Sequence, residues 1–105
     1  MDIDQLREII ESQSADGDCT LSEDEVKQVA YHMYRLYLEE GKVEAVLQLW
    51  PALMSRPRTL FAIHPHIEFL MVHIAATQGK VPPDSRWDPI DDNMRRVYES
   101  LKPFA

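Results

Sequence analysis

Cysteine occurs once in this 105-residue chain, at Cys19, and glycine three times. One cysteine excludes an internal disulfide framework, so stability has to come from packing. Long apolar runs are also missing: each is broken by a charge or a proline before about 18 residues, short of a membrane span. The N-terminus carries no basic-then-apolar signal segment. These absences predict a soluble protein of the reducing cytoplasm. No glycine-rich phosphate loop, no Gly-x-Ser-x-Gly and no His-Glu-x-x-His occurs, and Cys19 lies in an acidic stretch that raises rather than lowers a thiol pKa. Acid pairs such as Asp91 with Asp92 read as solvated charge. The expectation is a protein that is not an enzyme.

Basic residues are the minority, 11 against 18 acids, for a formal charge of −7. Residues 1–44 hold twelve acids and four bases, whereas residues 45–105 hold six acids and seven bases, so the halves carry −8 and +1. Phosphate backbones are bound by neutralising them with Lys and Arg, so nucleic acid is an unsuitable partner. The acidic half suits plain solvation, a cation, a basic protein surface, or an inhibitor that imitates nucleic acid.

What is present is a folded composition, 45% apolar and 28% charged, at a length that supports one hydrophobic core. No stretch alternates with period two, and five segments have helical periodicity. Ile3, Leu6, Ile9 and Ile10 predict a first helix over 3–13, capped by Asp2 or Asp4. Ser22-Glu23-Asp24-Glu25 is a capping box that opens a second helix through Val26, Val29, Ala30, Met33 and Tyr37, stopped at Gly41. Val43, Val46, Leu47, Trp50 and Leu53 give a third, bent near Trp50 by Pro51.

Residues 55–58 read as a break and 59–63 as ambiguous. A fourth helix is predicted to begin at His64-Pro65 and run to Gly79, central to the fold because Phe69, Val72 and Ala76 add a second apolar face. Residues 80–87 read as a stiff linker, and Asp88-Pro89 opens a fifth helix with Ile90, Met94, Val97, Tyr98 and Leu101. The fold class expected over residues 1–105 is therefore a single all-α domain. It is a compact bundle of about five helices, in which an N-terminal helix-loop-helix precedes an antiparallel helical hairpin.

Between the first two helices, carboxylates alternate in Ser14-Ala15-Asp16-Gly17-Asp18-Cys19-Thr20-Leu21-Ser22-Glu23-Asp24-Glu25, a pattern that suits calcium. With Leu21 at the apolar eighth position, Asp16, Asp18, the Thr20 carbonyl, Ser22 and Glu25 fall at the third, fifth, seventh, ninth and twelfth positions. Residues 3–38 thus resemble a single degenerate EF-hand. Ser14 and Cys19 depart from that pattern, where an aspartate and a glycine are expected. The resemblance implies weak calcium binding through Asp16, Asp18, Thr20, Ser22 and Glu25; otherwise no cofactor is expected. The alternative is a plain turn at Asp16-Gly17-Asp18 followed by a capping box.

Tyr37-Leu38-Glu39-Glu40-Gly41-Lys42-Val43-Glu44-Ala45 resembles the hairpin corner of tetratricopeptide and pentatricopeptide repeats, but it covers one repeat and a solenoid needs about three. His64, His66, Glu68 and His73 cluster without the spacing of a metal site, and capping or core bonding accounts for them. The aromatic residues carry more weight. Tyr31, Tyr34, Trp50, Trp87, Tyr98 and Phe104 exceed what one small core hides, and aromatic side chains dominate interface hot spots. The leading expectation is a non-catalytic protein-interaction or regulatory module that uses Tyr31, Tyr34, Trp50, Trp87 and Tyr98 to bind another protein or itself, as a homodimer. A calcium-binding module and an acidic inhibitor are the alternatives.

Overall fold

The computed structural model describes residues 1–77 and 89–105. Among them are five α-helices and no strand: α1 Ile3–Glu11, α2 Glu23–Leu38, α3 Val43–Met54, α4 Pro57–Thr77 and α5 Pro89–Leu101, with a 3-10 turn at Lys102–Phe104. The all-α class and the helix count are those read from periodicity.

Helix α1 begins where Asp2 accepts from the Gln5 N–H at 2.9 Å and the Gln5 side chain accepts from the Asp2 N–H at 2.8 Å. Two orphan donors are satisfied at once. Its inner face is Leu6 and Ile10, one turn apart and fully buried. The cap of α2 is reciprocal in the same way: Ser22 Oγ accepts from the Glu25 N–H at 3.1 Å, and Glu25 accepts from the Ser22 N–H at 3.0 Å. Helix α2 is the hub. It buries Val26, Val29, Ala30, His32, Met33, Tyr34, Leu36 and Tyr37 and packs against every other element. So wide a buried face needs neighbours on several sides.

The corner after α2 rests on Gly41, whose φ of +62° lies in the left-handed region that residues with a Cβ avoid. It lets the Lys42 N–H reach the Leu36 carbonyl at 2.9 Å. Helix α3 then buries Val46, Leu49 and Leu53, with Pro51 inside its last turns.

Two expectations for α4 are corrected. The helix opens at Pro57, eight residues before the predicted start, and Pro65 lies inside it. Thr59, Ile63, Ile67, Leu70 and Ile74 form one buried stripe at spacings of four, four, three and four, unbroken across the proline. Pro65 is exposed on the opposite face. There its missing N–H, and the Phe61 carbonyl it leaves without an i+4 donor, face away from the core. Nor is α4 the enclosed centre: Val72 on its second apolar face is 44% exposed.

Helix α5 closes the bundle with Met94, Tyr98 and Leu101 against α2 and α4. In the 3-10 turn, the Phe104 ring lies 4.5 Å from Lys27 Nζ. The chain has a radius of gyration of 13.2 Å, close to the ~13 Å of a compact chain of this length. No helix among the described residues is long and apolar enough to cross a membrane. The predicted linker at 80–87, Trp87 included, lies outside the described residues.

Candidate functional site

The acidic loop is held by Gln13, the last residue of the predicted first helix and two residues beyond the end of α1. Gln13 is buried, and its Oε1 accepts from the Thr20 N–H at 2.8 Å and the Thr20 hydroxyl at 3.0 Å. Arg56 docks on the same spot, donating to the carbonyls of Gln13 (2.9 Å), Glu11 (3.3 Å) and Ala52 (3.0 Å). A guanidinium over the last carbonyls of α1 and α3 satisfies orphan acceptors and meets the negative ends of both helix dipoles. The break read at residues 55–58 is thus a staple between helices.

Around that anchor the proposed calcium ligands have other engagements. Asp18 accepts from Arg58 at 2.5 Å across the surface, and Asp16 is exposed. Ser22 and Glu25 cap one another, and the two Ser22 bonds pull the Glu25 carboxyl below its usual pKa. Among the described residues, no group of three or more His, Cys, Asp or Glu side chains is placed to hold a metal ion.

The aromatic surplus resolves differently from the expectation. Tyr34 and Tyr98 are 0% and 5% exposed, so as core residues they are not available to a partner. Tyr98 stacks on Tyr31 with centroids 5.3 Å apart and on Tyr34 at 6.3 Å, and the three rings join α2 to α5. The Tyr34 hydroxyl donates to the His66 carbonyl at 2.8 Å, and burial drives the pKa of both Tyr34 and Tyr98 upward. Tyr31 and Trp50 are half-buried.

The histidines are also internal fittings in part. His73 Nδ1 lies 2.7 Å from the Tyr37 hydroxyl in the core. His32 is buried, and its Nδ1 accepts from Arg35 Nε at 3.2 Å. Desolvation, reinforced by the charges of the N-terminus and Arg35, lowers its pKa to about 4. The Tyr31 ring stands edge-on against it at 4.9 Å.

What remains exposed and apolar lies on α3 and α4. Phe61 is 82% exposed, Met54 55%, Val72 44% and Leu47 38%. Met54, Pro57, Leu60, Phe61, His64 and Pro65 line a groove of about 470 Å³. Single exposed hydrophobic residues are ordinary, but Met54, Leu60 and Phe61 lie together in one groove. Phe61 was missed because it falls in the segment left ambiguous. Once the helix is known to begin at Pro57, residues 57, 61, 65, 68 and 72 recur at helical spacing on one face, and that was the available signal. The lining of the groove is apolar apart from His64.

Comparisons of the chain with protein families, with curated proteins and with solved structures gave no match.

Proposed function

We propose that the chain is a non-catalytic protein-interaction module whose working surface is the groove between the end of α3 and the first half of α4. The observation that carries this reading is the Phe61 ring, 82% exposed beside Met54, Leu60 and two prolines. Burying a phenylalanine side chain is worth about 1.5–3 kcal/mol, and this ring is left in water while Tyr34 and Tyr37 are fully buried in the core. Large side chains that line pockets are the anchors of interfaces. The two prolines stiffen the wall that such an anchor would meet.

A photo-reactive amino acid at position 61, with a second at exposed Asp24 as control, tests the reading in cells that express the chain. Covalent adducts to a polypeptide are expected from position 61 and not from position 24, and are expected to vanish when Met54 is changed to Asp. Equal labelling from both positions, or none, overturns it.

The calcium module draws less support, because Ser22 and Glu25 satisfy each other and Asp18 holds Arg58. Heat on calorimetric titration with millimolar calcium, together with a rise in melting temperature, would reinstate it. The acidic-inhibitor reading is weakened in the same way, since Asp4, Asp18, Glu23 and Glu40 are all paired with bases of this chain.

A further inference from the structure

We infer that Asp16-Gly17 is a site of spontaneous covalent modification, at which the main chain rearranges to the isoaspartyl form, and that the hydrogen bond from the Gly17 N–H to Ser14 Oγ gates the rearrangement. The site lies in the loop between α1 and α2 and stands apart from the groove on α3 and α4. An aspartate followed by glycine is prone to this chemistry, because glycine has no Cβ to shield its nitrogen from the aspartyl carboxyl. The chain contains one such pair.

The fold leaves this pair open to reaction. Asp16 is exposed. Among the described residues, no main-chain hydrogen bond joins residues 14–21 to one another or to a helix. Side chains fasten the loop instead, through Thr20 on Gln13 and Asp18 on Arg58, so the peptide unit between residues 16 and 17 is held by no ladder. Exposed backbone of that kind opens at little cost in free energy. Glycine is also required here: a Cβ at position 17 would lie 3.1 Å from Ser14 Cβ and 3.2 Å from Ser14 Oγ. The close approach that shapes the loop therefore keeps the labile pair in place.

In the first step the Gly17 nitrogen attacks Asp16 Cγ. An N–C bond forms, the carboxyl hydroxyl leaves with the amide proton as water, and a succinimide ring results. Water then adds at either ring carbonyl. Attack at Cγ breaks the new bond and restores aspartate. Attack at the former main-chain carbonyl breaks its bond to nitrogen and leaves the chain running through Cβ and Cγ. One water is lost and one regained, so neither an oxidant nor a reductant is needed. Before the ring can close, the nitrogen has to turn toward Cγ and give up its proton. In this loop that N–H donates to Ser14 Oγ at 3.1 Å, and closure waits for the bond to open. The product has one more main-chain carbon between Gln13 and Thr20, with Asp18 in the lengthened stretch. Its free α-carboxylate is the group methylated by a protein carboxyl methyltransferase specific for isoaspartate.

The test ages the purified chain at neutral pH for several weeks, folded and, in parallel, unfolded in guanidinium chloride. Isoaspartate is read as methyl groups accepted from S-adenosylmethionine in the presence of that methyltransferase, and is placed in the sequence by electron-transfer fragmentation. Circular dichroism confirms the fold of each variant. The folded wild-type chain is expected to gain methyl acceptance steadily and at residue 16. Asp16→Glu, whose ring would be one atom larger and closes far more slowly, is expected to stay unmethylated when folded. Ser14→Ala is expected to age severalfold faster than wild type when folded, and at the same rate as wild type when unfolded.

A folded wild-type chain that gains nothing while the unfolded chain does overturns the inference. So does methyl acceptance in the folded chain that survives Asp16→Glu. A folded Ser14→Ala chain that ages no faster than wild type overturns it too, because the serine is then no gate.

Discussion

Replacing Pro65 by alanine is expected to stabilise the fold while weakening association, and the two effects have separate physical sources. Proline in a helix interior is about 3 kcal/mol less favourable than alanine, because it donates no N–H and its ring crowds the carbonyl four residues back. Here that carbonyl belongs to Phe61. Pro65 is exposed, so alanine would leave no cavity, and the restored N–H would bond the Phe61 carbonyl. Part of the gain is offset, because Ile63 and Ile67 are fully buried on either side and are packed to suit the helix as the proline shapes it. A net gain of about 1–2 kcal/mol remains. At roughly 4–8 °C per kcal/mol for a domain near this size, the melting temperature should rise by about 4–16 °C. Urea unfolding followed by far-ultraviolet circular dichroism measures it, with a higher midpoint at unchanged slope as the expected result. In the same variant the pyrrolidine ring is gone from the groove, and crosslinking from position 61 should weaken severalfold. A Pro65→Ala chain no more stable than wild type would refute the claim that this proline sits in α4 at a cost to the fold.

The internal polar fittings give three further predictions. His32 is held neutral down to about pH 4, whereas in the unfolded chain it takes a proton near pH 6.5. Between those values the unfolded state binds more protons, so stability falls as pH drops from about 6.5 to about 4. The full shift corresponds to about 3 kcal/mol, discounted to roughly 1–2 kcal/mol for nearby solvent. His32→Gln should flatten that limb of a pH series of urea midpoints, and an unchanged slope would exclude His32 as its source. Ser22→Ala should cost about 1 kcal/mol by removing the α2 cap, with the Glu25 carboxyl titrating closer to its ordinary value by nuclear magnetic resonance; no change in either would show the cap to be idle. Gly41→Ala meets no atom within 4 Å of the added Cβ, so its cost of roughly 1 kcal/mol would come from the positive φ alone. A neutral substitution in thermal melts would contradict the left-handed corner.

The helices were legible wherever one buried face repeated at helical spacing, as in Leu6 and Ile10, or Val46, Leu49 and Leu53. The Ser22 box was legible because its two partners are local in sequence. Helix α4 was misjudged at its start because a proline reads as a boundary, and only the register of Thr59, Ile63 and Ile67 across it shows that the ring points outward. The anchor made by Gln13, Thr20 and Arg56 was not readable, since it joins residues up to 43 apart in sequence. The aromatic count misled for a related reason. Tyr31 and Tyr34 both stack on Tyr98 once α5 folds back on α2, and no local pattern records that return. Exposure passed instead to Phe61, which the sequence reading had not placed on any face.

The charge of this chain and its apolar face therefore carry unequal weight as signs of function. An exposed carboxylate is satisfied by water, and several here are satisfied further: Asp18 by Arg58, Glu23 by Lys27, Glu40 by Arg35 and Lys42. Nothing in the free energy of these groups calls for a second molecule. An exposed apolar ring has no such outlet. Water cannot satisfy it, α3 and α4 do not cover it, and Pro65 beside it lowers the stability of the helix that presents it. Only removal of that face from solvent recovers the free energy, at about 25 cal/mol for each Å² covered, and the isolated chain has no described segment folded over the Phe61 ring. That imbalance, rather than the net charge of −7, is what directs attention to a protein partner.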